Sequence, residues 1–392
     1  MSYARKNPIG RTISVFHKTN EIPKVVGNLG NLVFFYAASR LFDTEDAEFV
    51  PFYYDDNPEE VNEACDVIIL PEANFISPSR NYSRAAEFIS KTNKPCWLLG
   101  AGCQADISVV DGSQYFEIMD STLRYLKHVS SHSSNIFVRG TYTAKLLQTN
   151  GISNVTALGC PSYTINPSPQ LWDEIQKKAS LSIDRFGITE GLYANLLKRD
   201  EEHYRIERLL MATAILCKGD YIAQTNAAAL AISMGIFDAD SRRLLRQLKT
   251  HEFVHLSSED LAKALERRFV SFENVDRWLS HCSTLDFVTG SRFHGNMIPL
   301  QAATPALPIA HDSRTLELLD AMKIPYIRLE ETKEWNSPFD ILNSIEVLRR
   351  IDARELDRHR QQIGKAYVRE IKSLGLTPSR GLLSMAAEEV KA

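Results

Sequence analysis

The sequence has no long apolar run. Across its 392 residues, no window reaches the ~18 consecutive apolar residues that a membrane-spanning helix needs. The amino-terminal stretch MSYARKNPIGRTISVF holds no apolar segment of signal-peptide length. A cytoplasmic location is the expectation, with peripheral membrane contact left open. An excess of one charge is also missing: the formal net charge is −4 and the pI about 6.2. Without a broad basic field, nucleic acid is not an expected partner. The six cysteines (Cys65, Cys96, Cys103, Cys160, Cys217 and Cys282) form no C-x-x-C pair, and none joins a histidine at zinc-ligand spacing. Their scatter fits a reducing compartment. No carboxylate cluster calls for a metal, so neither metal nor resident cofactor is expected. Internal repeats and low-complexity segments are absent.

What is present is ordinary globular composition, 44% hydrophobic and 24% charged. A single core rarely serves more than about 250–300 residues, so the length predicts two domains. Short apolar runs alternate with helix-like segments through the first half. Strands are expected at Phe49–Tyr54, Asp66–Pro71, Cys96–Gly100, Ile136–Arg139 and Val155–Leu158, and helices at Ser83–Thr92 and Thr141–Asn150. Asn150-Gly151 is a helix-ending signal. A turn-rich N-P-S-P at Asn166–Pro169 marks a boundary. Beyond it a charge-rich helical stretch carries strand candidates at Leu181–Phe186 and Tyr221–Ala223. The pattern then resumes at Leu285–Thr289, Ala306–Ala310 and Tyr326–Leu329. The expected organisation is an α/β protein of two Rossmann-like, doubly wound domains facing a cleft. They span 1–168 and 169–345, followed by a helical segment over 346–392 that could return across the first domain. In such sheets ligands bind beyond the carboxyl ends of the strands, so function is sought where a strand runs into a loop.

The richest such place is Thr289-Gly290-Ser291-Arg292-Phe293-His294-Gly295-Asn296. A β-branched strand ends in glycine, and a helix pattern resumes near Asn296. Arg292 and His294 are therefore expected on a loop at a helix amino terminus, where free N–H groups favour an anion. Arginine adds a permanent fork for phosphate or carboxylate. Histidine adds a proton donor whose ordinary pKa lies near neutrality. Gly290 and Gly295 would let backbone approach a ligand closely. The same residues also suit a loop cap and a packed histidine. Arg139 stands at the equivalent strand end of the first half. It is either a surface residue or a second cation reaching across the cleft to one doubly charged ligand. Gly27-Asn28-Leu29-Gly30-Asn31 reads equally as a plain strand-to-helix turn or as a substrate-lining loop. It has neither a G-x-G-x-x-G nor a P-loop lysine. Glu72 and Asn74, after the D-V-I-I-L run, shape a turn or hydrogen-bond a sugar. Gly100-Ala101-Gly102 makes a further strand-end turn.

The run GSRFHGNMIPLQAATPALPIAHDSRTLELLDAMKIPY resembles the carboxyl-terminal signature of the polysaccharide pyruvyl transferase family. Its matching residues are Ser291, Arg292, His294, Gly295, Thr304-Pro305, Asp312, Arg314, Thr315 and Glu317-Leu318. VRGTYTAKLLQTNGISNVTALGCPSY and GNLGNLVFFYA are similar to earlier family segments, so the likeness covers about residues 27–326 in order. The chain departs from the pattern at Pro71-Glu72-Ala73-Asn74, where many members have a glycine-rich turn, and at Cys160-Pro161, where many have Asp-Pro. The resemblance implies a GT-B-like fold and a reaction that joins pyruvate from phosphoenolpyruvate to two sugar hydroxyls as a cyclic ketal, releasing phosphate. It implies that His294 and Arg292 act in catalysis. Arg139, Ser291, Gly295, Asn28, Asn31, Asn74, Asp312 and Arg314 would bind substrate, Asp312 and Arg314 either lining the site or pairing with each other. Phosphoenolpyruvate would be a co-substrate rather than a cofactor. The acceptor sugar could be lipid-linked or nucleotide-linked, and the departures bear on its identity more than on the reaction. The oligomeric state is not legible. The competing readings are a glycosyltransferase with a nucleotide-sugar donor on the same architecture, and an inactive scaffold of a polysaccharide assembly, against which intact Arg292 and His294 speak.

Overall fold

Strands rich in Val, Ile and Leu on consecutive positions suit a parallel sheet covered on both faces. The computed structural model describes residues 28–43, 52–103, 115–191 and 201–387, and its amino-terminal half carries four such strands. They are β1 (Ile68–Pro71), β2 (Cys96–Leu99), β3 (Ile136–Val138) and β4 (Val155–Ala157). β1 pairs with β2 and β3 with β4, in parallel, and an Ala101–Val138 bridge links the two pairs. Alternation along each strand sends successive side chains to opposite faces. Ile68, Leu70, Cys96, Leu98, Ile136 and Val138 enter one core, while Ile69, Trp97, Leu99 and Phe137 enter the other. The second core runs on into the carboxyl-terminal half, so the two halves share one continuous apolar interior.

That half holds six parallel strands: β5 (Phe186–Thr189), β6 (Asp220–Ile222), β7 (Phe269–Val270), β8 (Phe287–Gly290), β9 (Ala306–Ala310) and β10 (Ile327–Arg328). Their order is β10-β9-β8-β5-β6-β7. The chain winds outward from β5 through β7, then returns to the far side of β5 and winds the other way. The reversal falls between β5 and β8, and their carboxyl ends frame the crevice of a doubly wound sheet. The α/β architecture of parallel sheets expected from the sequence is therefore the one observed.

The helix Ala353–Ser373 does return to the first half. Its Tyr367 ring meets Phe137 at 5.1 Å and Trp97 at 5.9 Å between centroids. Its buried Arg360 donates to the carbonyls of Tyr163 (3.1 Å), Ser168 (2.6 Å) and Asn166. Asn166 also bonds both ends of Gln301 at 2.9 Å. The N-P-S-P segment is thus clamped rather than a loose linker.

Three local readings change: the strand expected over Leu181–Phe186 instead runs Phe186–Thr189. Of the strand expected over Phe49–Tyr54, residues 49–51 lie outside the described residues. Phe52 and Tyr54 form no strand but bury their rings beside Phe88. The helix expected from Asn296 begins at Phe293. Arg292 becomes its N-cap, and His294 stands in its first turn rather than on a loop. Two hydrogen bonds from Asn296 Nδ2, to the carbonyls of Gly290 (2.9 Å) and Arg292 (2.8 Å), fasten that turn to the strand end.

Candidate active site

One cavity of about 110 Å³ lies between the halves, lined by Asn28, Asn31, Asn74, Arg139, Gln224, Ser291, Arg292, Phe293, His294, His311, Asp312, Arg314, Thr315 and Leu318. Most of these follow a strand. Asn74 comes after β1, Arg139 after β3, Gln224 after β6, Ser291 and Arg292 after β8, and His311 and Asp312 after β9. Nine of the ten residues singled out from the sequence line it. The tenth, Gly295, does not. It packs behind the wall, where a Cβ would come within 2.7 Å of Gln224 Oε1 and of Thr189 Cβ. Its glycine lets helix approach strand, and no ligand is involved.

Arg139 is 5% exposed. Its Nε donates to the Gly100 carbonyl at 3.0 Å and one terminal nitrogen donates to Asn74 Oδ1. Asn74 is preset for this by a left-handed backbone, φ 50°, which asparagine tolerates. Among the described residues no carboxylate stands within ion-pair distance of Arg139. Burial pushes its pKa down from the ordinary value. A buried cation is normally paired, whereas among the described residues this one faces the cavity with no carboxylate in contact, Glu317 and Asp312 acting on it only from farther away.

Arg292 is nearly as enclosed. One terminal nitrogen donates to Thr225 Oγ1 and lies 3.9 Å from Glu190 Oε1. Its buried Nε has no hydrogen-bond partner among the described residues. Burial lowers its pKa, with Glu190 and Glu207 opposing. Glu190 is itself fully buried and occupied: it accepts from the backbone N–H groups of Gln224 (2.6 Å), Thr225 and Asn226 (2.9 Å). Its charge is spent largely on that turn. No side chain caps the helix Phe293–Gln301, so its amino-terminal dipole also faces the cavity. Ser291 Oγ donates to buried Glu207.

His294 departs from expectation. Burial first, then the nearby Arg139 charge, lowers its pKa from 6.5 to about 3. Burial thus favours the neutral ring, against the near-neutral proton donor read from the sequence. Asp312 caps the helix Ser313–Met322 by accepting from Thr315 N at 2.8 Å and Thr315 Oγ1 at 2.7 Å. Its other oxygen accepts from Arg314 Nε at 2.9 Å. Burial alone would raise the Asp312 pKa, but His311, Arg314 and the Thr315 hydroxyl hold it well below the carboxylate range. Asp312 and Arg314 thus pair with each other and line the cavity as a unit.

Asn28 Oδ1 accepts from Gly30 N at 2.8 Å, and Leu29 N donates to the Gln224 carbonyl at 3.0 Å, so the Asn-Gly turn is stitched to the opposite half. Glu72 is not in the cavity. Tyr54 and Tyr125 hydroxyls hold its carboxylate at 2.6 and 2.8 Å inside the first half. Gln224, missed from sequence, stands two residues past β6, and the strand-end rule already used elsewhere points to it. Glu190 follows β5 in the same way. Glu317, which the sequence marks only as part of the carboxyl-terminal signature and without a role, reaches the other half to accept from Thr143 N (2.8 Å) and Thr143 Oγ1 (3.1 Å).

A family model described as polysaccharide pyruvyl transferase matches residues 28–313. No curated protein matches the chain in sequence. Among solved structures, a Listeria monocytogenes protein designated a UDP-N-acetylglucosamine 2-epimerase is 9% identical, with TM-score 0.42, over 97% of this chain and 94% of its own. The wall teichoic acid polymerase TagF is 8% identical, with TM-score 0.36, over 98% and 87%. The glycotransferase of kitacinnamycin is 9% identical, with TM-score 0.35, over 97% and 97%. Likenesses this distant say nothing about chemistry.

Proposed function

The chain belongs to the polysaccharide pyruvyl transferase family, and from that premise we propose that it transfers pyruvate from phosphoenolpyruvate to two hydroxyls of a sugar, closing a cyclic ketal and releasing phosphate. The observation that carries this reading is Arg139, a buried guanidinium with no carboxylate in ion-pair contact among the described residues, lining one small cavity together with Arg292. Phosphoenolpyruvate brings a phosphate and a carboxylate, one for each fork, and the uncapped helix end adds a third attraction.

In the reaction a sugar oxygen bonds to the substituted vinyl carbon as the terminal carbon gains a proton and becomes methyl. Phosphate then departs with its bridging oxygen, and the second hydroxyl attacks the resulting cation. Of the two hydroxyl protons, one ends on the methyl group and the other on phosphate. The arginine that holds the phosphate stabilises it as it leaves, and the other keeps the carboxylate in place. His294 enters neutral, so it assists phosphate departure by hydrogen bonding rather than by delivering a proton as imidazolium. Asn28, Asn31 and Asn74 present amides to the sugar from the first half.

Thermal melting with phosphoenolpyruvate tests the donor. A ligand at a hundredfold excess over its Kd should stabilise the fold by about 2.7 kcal/mol. The wild type should show this shift and Arg292→Ala should lose it. No shift in wild type, with a clear one from a nucleotide sugar, would replace this reading with a glycosyltransferase.

A further inference from the structure

Behind His294, on the side away from the cavity, lies a fully buried cysteine. Cys160 Sγ stands 3.6 Å from His294 Nε2. The same sulfur accepts a hydrogen bond from Ser162 Oγ at 3.0 Å, and the Pro161–Thr164 3-10 turn holds both residues in the interior. The ring's other nitrogen, Nδ1, looks toward the amino-terminal turn. A methyl group built on Gly30 would lie 3.0 Å from Nδ1 and 3.0 Å from Asn28 Oδ1, and Asn28 lines the cavity.

The two nitrogens of a neutral imidazole share one proton, and the partner of one decides the state of the other. Burial raises the Cys160 pKa, so the sulfur keeps its proton. The Ser162 hydroxyl occupies one sulfur lone pair, and a protonated sulfur can still turn its S–H onto Nε2 at 3.6 Å. We propose that Cys160 is a positioning residue, donating through its thiol to His294 Nε2 and so holding the ring's own proton on Nδ1, beside the substrate cavity. This rests on the pyruvyl-transfer reading only for what that N–H does, which is to donate to the departing phosphate. The tautomer itself follows from the packing. The charged and titratable groups acting on the ring are Arg139, which disfavours imidazolium, and Cys160, which is neutral. A carboxylate at position 160 would reverse the balance by favouring imidazolium.

Nitrogen-15 spectra of the histidine rings in the full chain, assigned with His294→Gln, test this without substrate. Wild type should show a neutral His294 with its proton on Nδ1 throughout pH 5–8. Cys160→Ala should lose that preference, and Cys160→Asp should move protonation of the ring up toward neutrality. Cys160→Ser, which keeps an O–H donor, should retain the Nδ1–H form and so guards against misfolding of the aspartate variant. An Nε2–H ring in wild type, or an unchanged tautomer in Cys160→Ala, overturns the proposal whatever the donor substrate is. In turnover, Cys160→Ala should lower kcat about tenfold or more, short of the ~10²–10⁴ due to a positioned proton-transfer group, with KM within about twofold. Cys160→Ser should restore most of the loss.

Discussion

Replacing Arg139 by methionine separates a residue kept for binding from one kept for folding. The substitution removes a guanidinium that donates to Gly100 O and Asn74 Oδ1. Leaving two buried acceptors unsatisfied costs about 1–3 kcal/mol each, or ~2–6 kcal/mol together. Removing a buried ion that has no counter-charge returns several kcal/mol of desolvation penalty, and the methionine stem keeps most of the packing. The two effects cancel to within about 2 kcal/mol, so urea unfolding should move little in either direction. Binding should move much more. A charge-assisted contact is worth about 1.5–3 kcal/mol, which is roughly 10- to 150-fold in Kd. At a phosphoenolpyruvate concentration a hundredfold above the wild-type Kd, a variant a hundredfold weaker would keep only about 0.4 kcal/mol of the ~2.7 kcal/mol stabilisation. Urea melts with and without phosphoenolpyruvate measure both numbers. Destabilisation beyond about 4 kcal/mol with the ligand shift intact would make Arg139 a structural residue and refute the reasoning.

His294→Gln should lower kcat by up to about 10²–10³, the scale of losing one transition-state hydrogen-bond donor, read by phosphate release, with little change in melting at neutral pH. The same substitution should flatten the acid side of the stability profile. The folded pKa of His294 is depressed from 6.5 to about 3, so the folded state resists a proton that the unfolded chain accepts. Its contribution is present above 6.5 and fades as pH falls from there toward 3, and urea titrations across that window compare wild type with the variant. Gly140→Ala should destabilise at or above the upper end of the ~1–3 kcal/mol of overpacking, because the new methyl would lie 1.8 Å from Glu317 Cγ. A fully stable Gly140→Ala by chemical denaturation would mean the two halves can separate there at no cost.

Short-range pattern was enough for the frame. The consecutive apolar residues at Ile68–Leu70, Cys96–Leu99 and Phe287–Val288 say parallel strand because both faces of such a strand are covered, and strand ends followed by helix starts say where a ligand sits. Arg139, Arg292 and His294 were legible for that reason: each stands just past a strand, at a place where the backbone itself favours an anion. Local pattern also reached Asn28, Asn74, Asp312 and Arg314, although it could not say that the last two bind each other. The sequence by itself therefore determined the alternation of elements and the strand ends at which the cavity residues gather. Only the tertiary structure decided which strand ends meet. It placed Glu190 of β5 behind Arg292 of β8 and turned Glu317 onto Thr143. It withheld a carboxylate from Arg139 and set Cys160 against His294, which its burial makes neutral. Those pairings join residues from 102 to 174 positions apart. Periodicity reports only neighbours along the chain, whereas burial and counter-charge are properties of what the folded chain brings together.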